Sequence, residues 1–108
     1  MNTVITSTGN KITSRFDKRF GRAGWFCLYD EETKAVDFHL NENLNTNSGA
    51  GIKAAEKMVE LNAGKVISGD FGPKAKDLLD KFNIQMVIIQ NDDITVEDII
   101  QKLKSGKE

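Results

Sequence analysis

Short apolar runs and amphipathic stretches take turns along this chain, and together they predict a mixed β-sheet covered by helices. Three runs with little polar alternation are typical of strands within a sheet: residues 3–7 (TVITS), 65–68 (KVIS) and 84–89 (IQMVII). Residues 25–30 (WFCLYD) and 35–40 (AVDFHL) add two strands, joined as a hairpin across residues 31–34. The pattern therefore predicts five strands.

The polarity of the hairpin predicts how its two strands pair. If Cys27 lies opposite Asp37, one face collects the apolar side chains Phe26, Leu28, Val36, Phe38 and Leu40. A shift of one residue would mix Asp37 and His39 with that apolar set. We therefore expect the first register, which leaves the other face to Trp25, Cys27, Tyr29, Asp37 and His39.

Helical periodicity predicts two helices in the central part of the chain. The first opens at residues 49–51 (GAG), with Ser48 as its N-cap and Gly64 as the glycine that ends it. The second begins at Pro73, a residue favoured in the first turn of a helix, and runs to about Phe82.

A third helix follows Thr95, which together with Asp98 resembles a capping box, and residues 104–108 are expected to fray. Right-handed crossovers then place the first, fourth and fifth strands parallel, with the hairpin on the other side. The predicted fold is α/β: a ribonuclease H-like, three-layer arrangement with strand order 3-2-1-4-5 and the second strand antiparallel.

Composition narrows the class of protein. Apolar residues make up 39% of the 108 residues and charged residues 29%, which is typical of one folded domain spanning residues 1–108. The chain has no apolar run of the roughly 18 residues that a membrane span needs, and its start lacks signal-peptide features. We therefore expect a cytoplasmic protein without a membrane partner. A net charge of −1 argues against a nucleic-acid partner.

Cysteine and histidine are too few for an autonomous metal site. Cys27 is the single cysteine and His39 the single histidine, so neither a disulfide within the chain nor a zinc site of three or four such ligands can form. Cys27 stays open between a small packed residue and a soft contact to metal or sulfur. His39 stays open between a surface strand residue and a weak candidate metal ligand.

The segment from residue 14 to residue 26 (SRFDKRFGRAGWF) concentrates positive charge after the first strand. Its one acid, Asp17, stands against four cations: Arg15, Lys18, Arg19 and Arg22. In an open α/β sheet, ligands collect at the carboxyl ends of the strands where the connections diverge. We therefore interpret this segment as one wall of an anion-binding site, with a solvated charge cluster as the alternative.

Two glycine-containing turns should meet the basic segment at the same end of the sheet. One is the helix start at Gly49–Gly51, and the other is the loop Gly69–Gly72 after the fourth strand. Glycine allows close backbone approach, and a helix N-terminus presents free N–H donors to an anion. Each stretch also has a plainer interpretation, as a helix entry or an ordinary turn.

Catalytic alternatives lack the residue types that they need. Ribonuclease H-like nucleases use several carboxylates around two metal ions, one of them on the first strand, and residues 3–7 carry none. Asp70 is the one acid well placed at the predicted site. His39 on an outer strand suggests no Ser-His-Asp set, and there is no GxxxxGK[ST] loop. We expect a protein that is not an enzyme.

Four motifs in order resemble the dinitrogenase iron-molybdenum cofactor family, over roughly residues 4–89. They are residues 19–23 (RFGRA) followed by WFCLYD, the helix start at 49–51, residues 63–69 (AGKVISG), and Gly72-Pro73 with Ala75. NifX-like carriers of that family place a histidine before Phe-Gly, where this chain has Arg19. Arginine can pair with an anionic cluster but cannot ligate a metal as imidazole does, so a stand-alone member is implied.

The resemblance implies a non-catalytic carrier of an anionic cargo, such as an iron–sulfur or molybdenum-containing metal–sulfur cluster or a metalate. Partners would be proteins that assemble or accept metallocofactors. The expected binding residues are Arg15, Arg19, Phe20, Gly21, Arg22, Cys27, Gly49, Gly51, Gly69 and Gly72. The alternative is a metal-independent module that binds a protein partner or a phosphorylated small molecule, through the basic segment and an exposed face with Trp25 and Tyr29.

Overall fold

A computed structural model describes residues 1–91 and 93–106 of the protein. The strands are β1 (Asn2–Ser7), β2 (Trp25–Asp30), β3 (Val36–Leu40), β4 (Lys65–Ser68) and β5 (Gln85–Ile88). The helices are α1 (Ala50–Glu60), α2 (Pro73–Lys81) and α3 (Val96–Lys104). This sequence of elements confirms the predicted order. Lys104 is the last residue of α3, and the fraying of residues 104–108 stays a prediction. Residues 107 and 108 of that tail lie outside the described residues.

The five strands form one mixed sheet in the order β3-β2-β1-β4-β5. β1 runs parallel to β4, and β4 runs parallel to β5, while β2 is antiparallel to both of its neighbours. The predicted strand order and the antiparallel second strand are therefore confirmed. Among the described residues, no helix is long and apolar enough to cross a membrane.

Two apolar clusters, one on each face, hold the sheet between the helices. On one face α1 and α2 contribute Ala54, Ala55, Met58, Ala75 and Leu79, which lie with Val4 and Val66 of the sheet. On the other face α3 contributes Val96, Ile99 and Ile100, which lie with Ile5, Cys27, Tyr29 and Ile67. Adjacent residues of a strand point to opposite faces, so each central strand feeds both clusters.

The hairpin adopts the register that its polarity argued against. Cys27 lies opposite Phe38 and Leu28 opposite Asp37, one residue away from the prediction. Phe38 therefore shares a face with Cys27 and packs against the cluster beneath α3. Asp37 and His39 instead share the face of Phe26. Because β3 is the edge strand, their polar groups lie at the edge of the sheet.

The ends of α1 also differ from the prediction. Its N-cap is Gly49, in the left-handed region at φ 73°, rather than Ser48. At the other end the left-handed residue is Asn62 at φ 57°, not Gly64. In α3, by contrast, the capping box of Thr95 and Asp98 is present as predicted.

Candidate functional site

The loops that follow β1 and β4 are joined at the carboxyl ends of those strands. The Gly69 N–H donates to the Lys18 carbonyl at 3.1 Å, and the Phe20 N–H donates to the Asp70 carbonyl at 3.3 Å. Arg19 and Asp70 form an isolated parallel bridge between the two loops. The basic segment thus reaches the end of the sheet where the sequence placed the site.

Two glycines permit this close docking. A Cβ on Gly21 would lie 2.9 Å from the Gly51 nitrogen, inside the first turn of α1. A Cβ on Gly69 would lie 2.6 Å from the Lys18 Cβ and 2.8 Å from the Lys18 carbonyl oxygen. These distances are too short for real side chains. Gly21 and Gly69 therefore serve the packing of the loops, and the Gly69 N–H is already used within the protein.

A groove of about 290 Å³ lies between the first turns of α1 and α2. One side is formed by residues 49–52, and the other by residues 71–75. The two helices approach closely, since a Cβ on Gly51 would lie 3.5 Å from the Ala75 Cβ. Phe71 lines the groove and packs on the buried Phe20 with ring centroids 5.0 Å apart. The groove therefore has an apolar base between two helix N-termini.

Both helix N-termini at the groove are without the usual caps. Gly49 caps α1 and Gly72 caps α2, and neither helix has a side-chain cap or an acid in its first turn among the described residues. The first helical hydrogen bonds run from Lys53 to Gly49 and from Lys76 to Gly72, each at 3.0 Å. The N–H groups before these donors have no partner within their helix. Two helix dipoles thus direct positive potential into one groove.

α3 shows what a self-sufficient N-terminus looks like in the same protein. The Thr95 hydroxyl accepts from the Asp98 N–H at 3.1 Å, and the Asp98 carboxylate accepts from the Thr95 N–H at 2.9 Å. Glu97 adds a second acid to that first turn. α3 therefore has acidic side chains at its own positive N-terminus, whereas α1 and α2 have none in their first turns among the described residues.

Lys74 supplies the positive side chain at the groove. It occupies the second position of α2, where the helix dipole disfavours a cation. Lys76 lies two residues further into the helix and lines an adjoining pocket of about 230 Å³ with Asp70 and Gln90. Sequence reasoning missed both lysines. The sequence signal for them was two lysines within three residues of Pro73, because the first turn of a helix usually carries acidic residues.

The arginines of the basic segment are engaged elsewhere. Arg19 forms a paired contact with the buried Asp17, through Nε to Oδ1 at 3.0 Å and a terminal nitrogen to Oδ2 at 2.9 Å. Hydrogen bonding to Asp17, and then its charge, raise the pKa of Arg19, while burial opposes them weakly. Arg22 donates to the carbonyls of Leu44 and Thr46 at 2.6 and 2.7 Å.

Arg15 lies near the start of α3 rather than near the groove. Its backbone bridges to Thr95, and its guanidinium is 3.9 Å from the Asp93 carboxylate. In the described part of the chain, the residues that line the groove include none of the three predicted arginines. Arg15, Arg19 and Arg22 therefore lie outside the groove that Gly49 and Gly51 line.

Three other predicted candidates are also removed from the groove. Phe20 and Cys27 are fully buried, and burial, with the Asp37 charge second, raises the pKa of Cys27 to about 12. His39 and Cys27 point to opposite faces of the sheet, so they cannot hold one metal ion. Among residues 1–91 and 93–106, no three His, Cys, Asp or Glu side chains are grouped as metal ligands. Gly49, Gly51 and Gly72 stay at the groove.

A family model described as dinitrogenase iron-molybdenum cofactor matches residues 1–106. The chain belongs to this family. The family assignment agrees with the four motifs in the sequence. A search of curated proteins finds no match.

Two solved structures resemble the chain over nearly its whole length. The apo form of the orange protein from Desulfovibrio gigas superposes with a TM-score of 0.89 at 30% identity, covering 98% of this chain and 88% of that one. A putative NifB protein from Thermotoga, assigned to the DUF35 family, superposes with a TM-score of 0.81 at 24% identity. That comparison covers 98% of this chain and 89% of that one, and it shows a shared fold.

Proposed function

We propose that this protein is a carrier that holds an anionic metal–sulfur cluster or metalate in the groove between α1 and α2. The observation that carries the proposal is the convergence of two uncapped helix N-termini, with Lys74 in the first turn of one of them. Membership of a family described by the iron-molybdenum cofactor supports this class of cargo. The orange protein, whose solved form is described as apo, supports the carrier role.

The groove suits an anion better than a bare metal ion. The two helix starts supply backbone N–H donors and Lys74 supplies an ammonium, both of which favour negative charge. None of the described residues that line the groove carries a carboxylate, a thiol or an imidazole. A cluster or thiometalate brings its own sulfide ligands and presents a negative outer surface. The protein would then hold its cargo by hydrogen bonds, charge and contact with Phe71, without bonds to the metal.

Several further features belong to the same proposal. We infer a ribonuclease H-like fold, which the strand order and the helices on both faces support. We also infer a single domain over residues 1–108 that acts without catalysis in the cytoplasm, with cofactor-assembly or acceptor proteins as partners. Arg19, where NifX-like carriers have histidine, supports a stand-alone member, because its guanidinium is committed to Asp17.

Anaerobic titration with tetrathiomolybdate, and separately with iron and sulfide, tests the cargo. We expect visible absorbance that comigrates with the protein, and binding at least about tenfold weaker in Lys74→Glu, since one charge-assisted hydrogen bond contributes about 1.5–3 kcal/mol. Arg15→Glu is the matched control, because it reverses an exposed charge near α3. Colourless protein in both titrations would overturn the proposal. Equal losses in the two variants would overturn the groove as the site.

Arg19→Ala is a poor probe of cargo binding. The variant would leave the buried carboxylate of Asp17 without its charged partner, so a loss of binding could follow from loss of structure. Inorganic phosphate is the better second probe. One outcome is that phosphate raises the melting temperature while neither tetrathiomolybdate nor iron and sulfide binds. If Lys74→Glu also abolishes that stabilisation, the result would instead favour a module for phosphorylated ligands.

A further inference from the structure

β3 is an edge strand whose outer backbone groups can be identified. It pairs with β2 on one side and ends the sheet on the other. The Asp30 N–H donates to Ala35, and the Asn41 N–H donates to Gly24, each at 3.0 Å. Because inward and outward groups alternate in an antiparallel ladder, Asp37 and His39 also direct their backbone toward β2. The N–H and C=O groups of Val36, Phe38 and Leu40 therefore point outward.

This edge carries one charged residue, Asp37, and otherwise lacks the residues that usually prevent sheet extension. The strand VDFHL contains no lysine, proline or glycine. Val36 is 40% exposed and Leu40 is 50% exposed, and both lie with Phe38 on the α3 face of the sheet. The edge thus combines outward backbone groups with a row of three apolar side chains. The Phe38 N–H donates to the Asp37 carboxylate of its own chain at 3.1 Å, and pairing with a second strand would replace that contact.

The charges around this strand are antisymmetric about Phe38. Asp37 precedes Phe38 and His39 follows it, while Lys34 and Glu42 stand four residues away on either side. When two such segments run antiparallel with Phe38 at the centre, each position falls opposite its mirror position. Asp37 and His39 of one chain lie 3.5 Å apart, Oδ2 to Nε2. In the paired arrangement Asp37 also meets His39 of the second copy, and the ends bring Lys34 near Glu42.

We propose that two copies of this chain associate through β3, antiparallel about a two-fold axis at Phe38. Phe38 would pair with its own copy, and Val36 with Leu40 of the other chain, each through outward backbone groups. Asp37 and His39 would form the pairs without backbone hydrogen bonds, where facing side chains come closest. The result is one continuous ten-stranded sheet with apolar pairs on one face and two Asp37–His39 pairs on the other.

Neighbouring registers are each disfavoured by a named contact. If the two β3 strands shift by two residues in one direction, Asp37 lies opposite Asp37 of the second copy, which places like charges together. A shift of two residues in the other direction places His39 opposite His39. A slip of one residue sets outward backbone groups against inward ones, so the ladder hydrogen bonds are lost. Charge and backbone direction therefore select the same register.

The opposite edge of the sheet offers no comparable self-recognition. β5 has the sequence QMVI, with no charged residue to fix a register. None of the groove residues 49–52 and 71–75 belongs to β3, so association and cargo binding are separable. The interaction surface is thus specific to the β3 edge and to a second copy of this chain.

Sedimentation equilibrium on the purified chain, with charge-reversed variants, tests the association. We expect a concentration-dependent dimer in the unmodified protein, and monomers for Asp37→Lys alone and for His39→Glu alone. An equimolar mixture of the two variants should recover a dimer, because the introduced lysine of one chain then faces the introduced glutamate of the other. The second pair keeps the original Asp37 and His39. Recovery in the mixture also shows that both variants fold.

Asp77→Lys is the matched control, since it reverses an exposed charge in α2 and should leave the dimer unchanged. A chain that stays monomeric at about 1 mM, where an association of about −4 kcal/mol is half complete, overturns the proposal. A dimer that persists in both single variants, or that their mixture does not restore, overturns the β3 register.

Discussion

Cys27 illustrates at the scale of one residue how surroundings decide chemistry. Its side chain is fully buried on β2, beneath α3. Burial is the main cause that raises the pKa of this thiol to about 12, with the charge of Asp37 second. The thiolate is the form that binds metals and attacks disulfides, so Cys27 is chemically quiet at neutral pH.

We expect Cys27 to resist a disulfide reagent such as dithionitrobenzoate in the native protein at pH 8. In denaturant the same thiol should react stoichiometrically, because unfolding restores both access and an ordinary pKa. The absorbance of the released thiolate measures both reactions. Rapid labelling of the native protein, at a rate close to that of the unfolded chain, would contradict the burial.

At the scale of elements, α1 and α2 end in the same way. Asn62 and Asn83 are left-handed, at φ 57° and 58°. After α1, Ala63 N–H donates to Met58 and Asn62 N–H to Val59, each at 3.0 Å. This pair of bonds is a Schellman motif, in which asparagine takes the place usual for glycine.

Asn62→Ala should destabilise the protein by about 1–2 kcal/mol, because an ordinary side chain is strained in the left-handed region. Asn62→Gly is the matched control and should be close to neutral, since glycine adopts this conformation readily. Urea unfolding followed by circular dichroism measures both values. Equal stability of the alanine and glycine variants would show that the conformation of Asn62 carries no such cost.

The predicted C-terminal glycine of α1, Gly64, differs from the observed left-handed residue, Asn62, for a reason that depends on tertiary structure. Asn62 and Gly64 can each adopt a left-handed conformation, and glycine is the stronger prior. Gly64 instead joins the sheet, since its N–H donates to the Asn2 carbonyl at 2.8 Å and its carbonyl accepts from the Gln85 N–H at 3.0 Å. Thr95 and Asp98 were predictable because a capping box is completed within four residues. A contact between the chain start and residue 64 is not local.

At the scale of the molecule, topology was more predictable than side-chain pairing. Strand order followed from element order and the right-handedness of crossovers. The hairpin register failed because the polarity argument treated both faces of β3 alike, whereas Phe38 is drawn into the cluster beneath α3. The meeting of Gly21 with Gly51 followed from topology, but the commitment of Arg19 to the buried Asp17 depends on tertiary geometry.

A polar contact at the far end of the sheet links three strands. Lys65, at the start of β4, is only 3% exposed, and its ammonium lies 3.3 Å from the carboxylate of Glu31. The Thr3 hydroxyl of β1 donates to the same carboxylate, which directly follows β2. Partial burial pushes the Glu31 pKa up, but the Thr3 hydrogen bond and the Lys65 charge outweigh it and lower the pKa.

Because the folded pKa of Glu31 lies below its ordinary value of 4.5, its contribution to stability is complete above that value and is lost as the pH falls through the folded pKa. We expect Glu31→Gln to lower the free energy of unfolding at pH 7 by about 1–3 kcal/mol, since the charge-assisted contacts of the carboxylate with Lys65 and Thr3 are lost. The variant should also lose less stability than the unmodified protein on acidification.

Urea unfolding across the range from neutral to acid pH measures this difference. Glu32→Gln is the matched control, because its neighbouring carboxylate is 84% exposed and should contribute little. If Glu31→Gln and the unmodified protein lose stability in parallel as the pH falls, Glu31 does not link the three strands through its charge. If they diverge below about the ordinary pKa of a carboxylate, this contact joins the hairpin to the parallel strands.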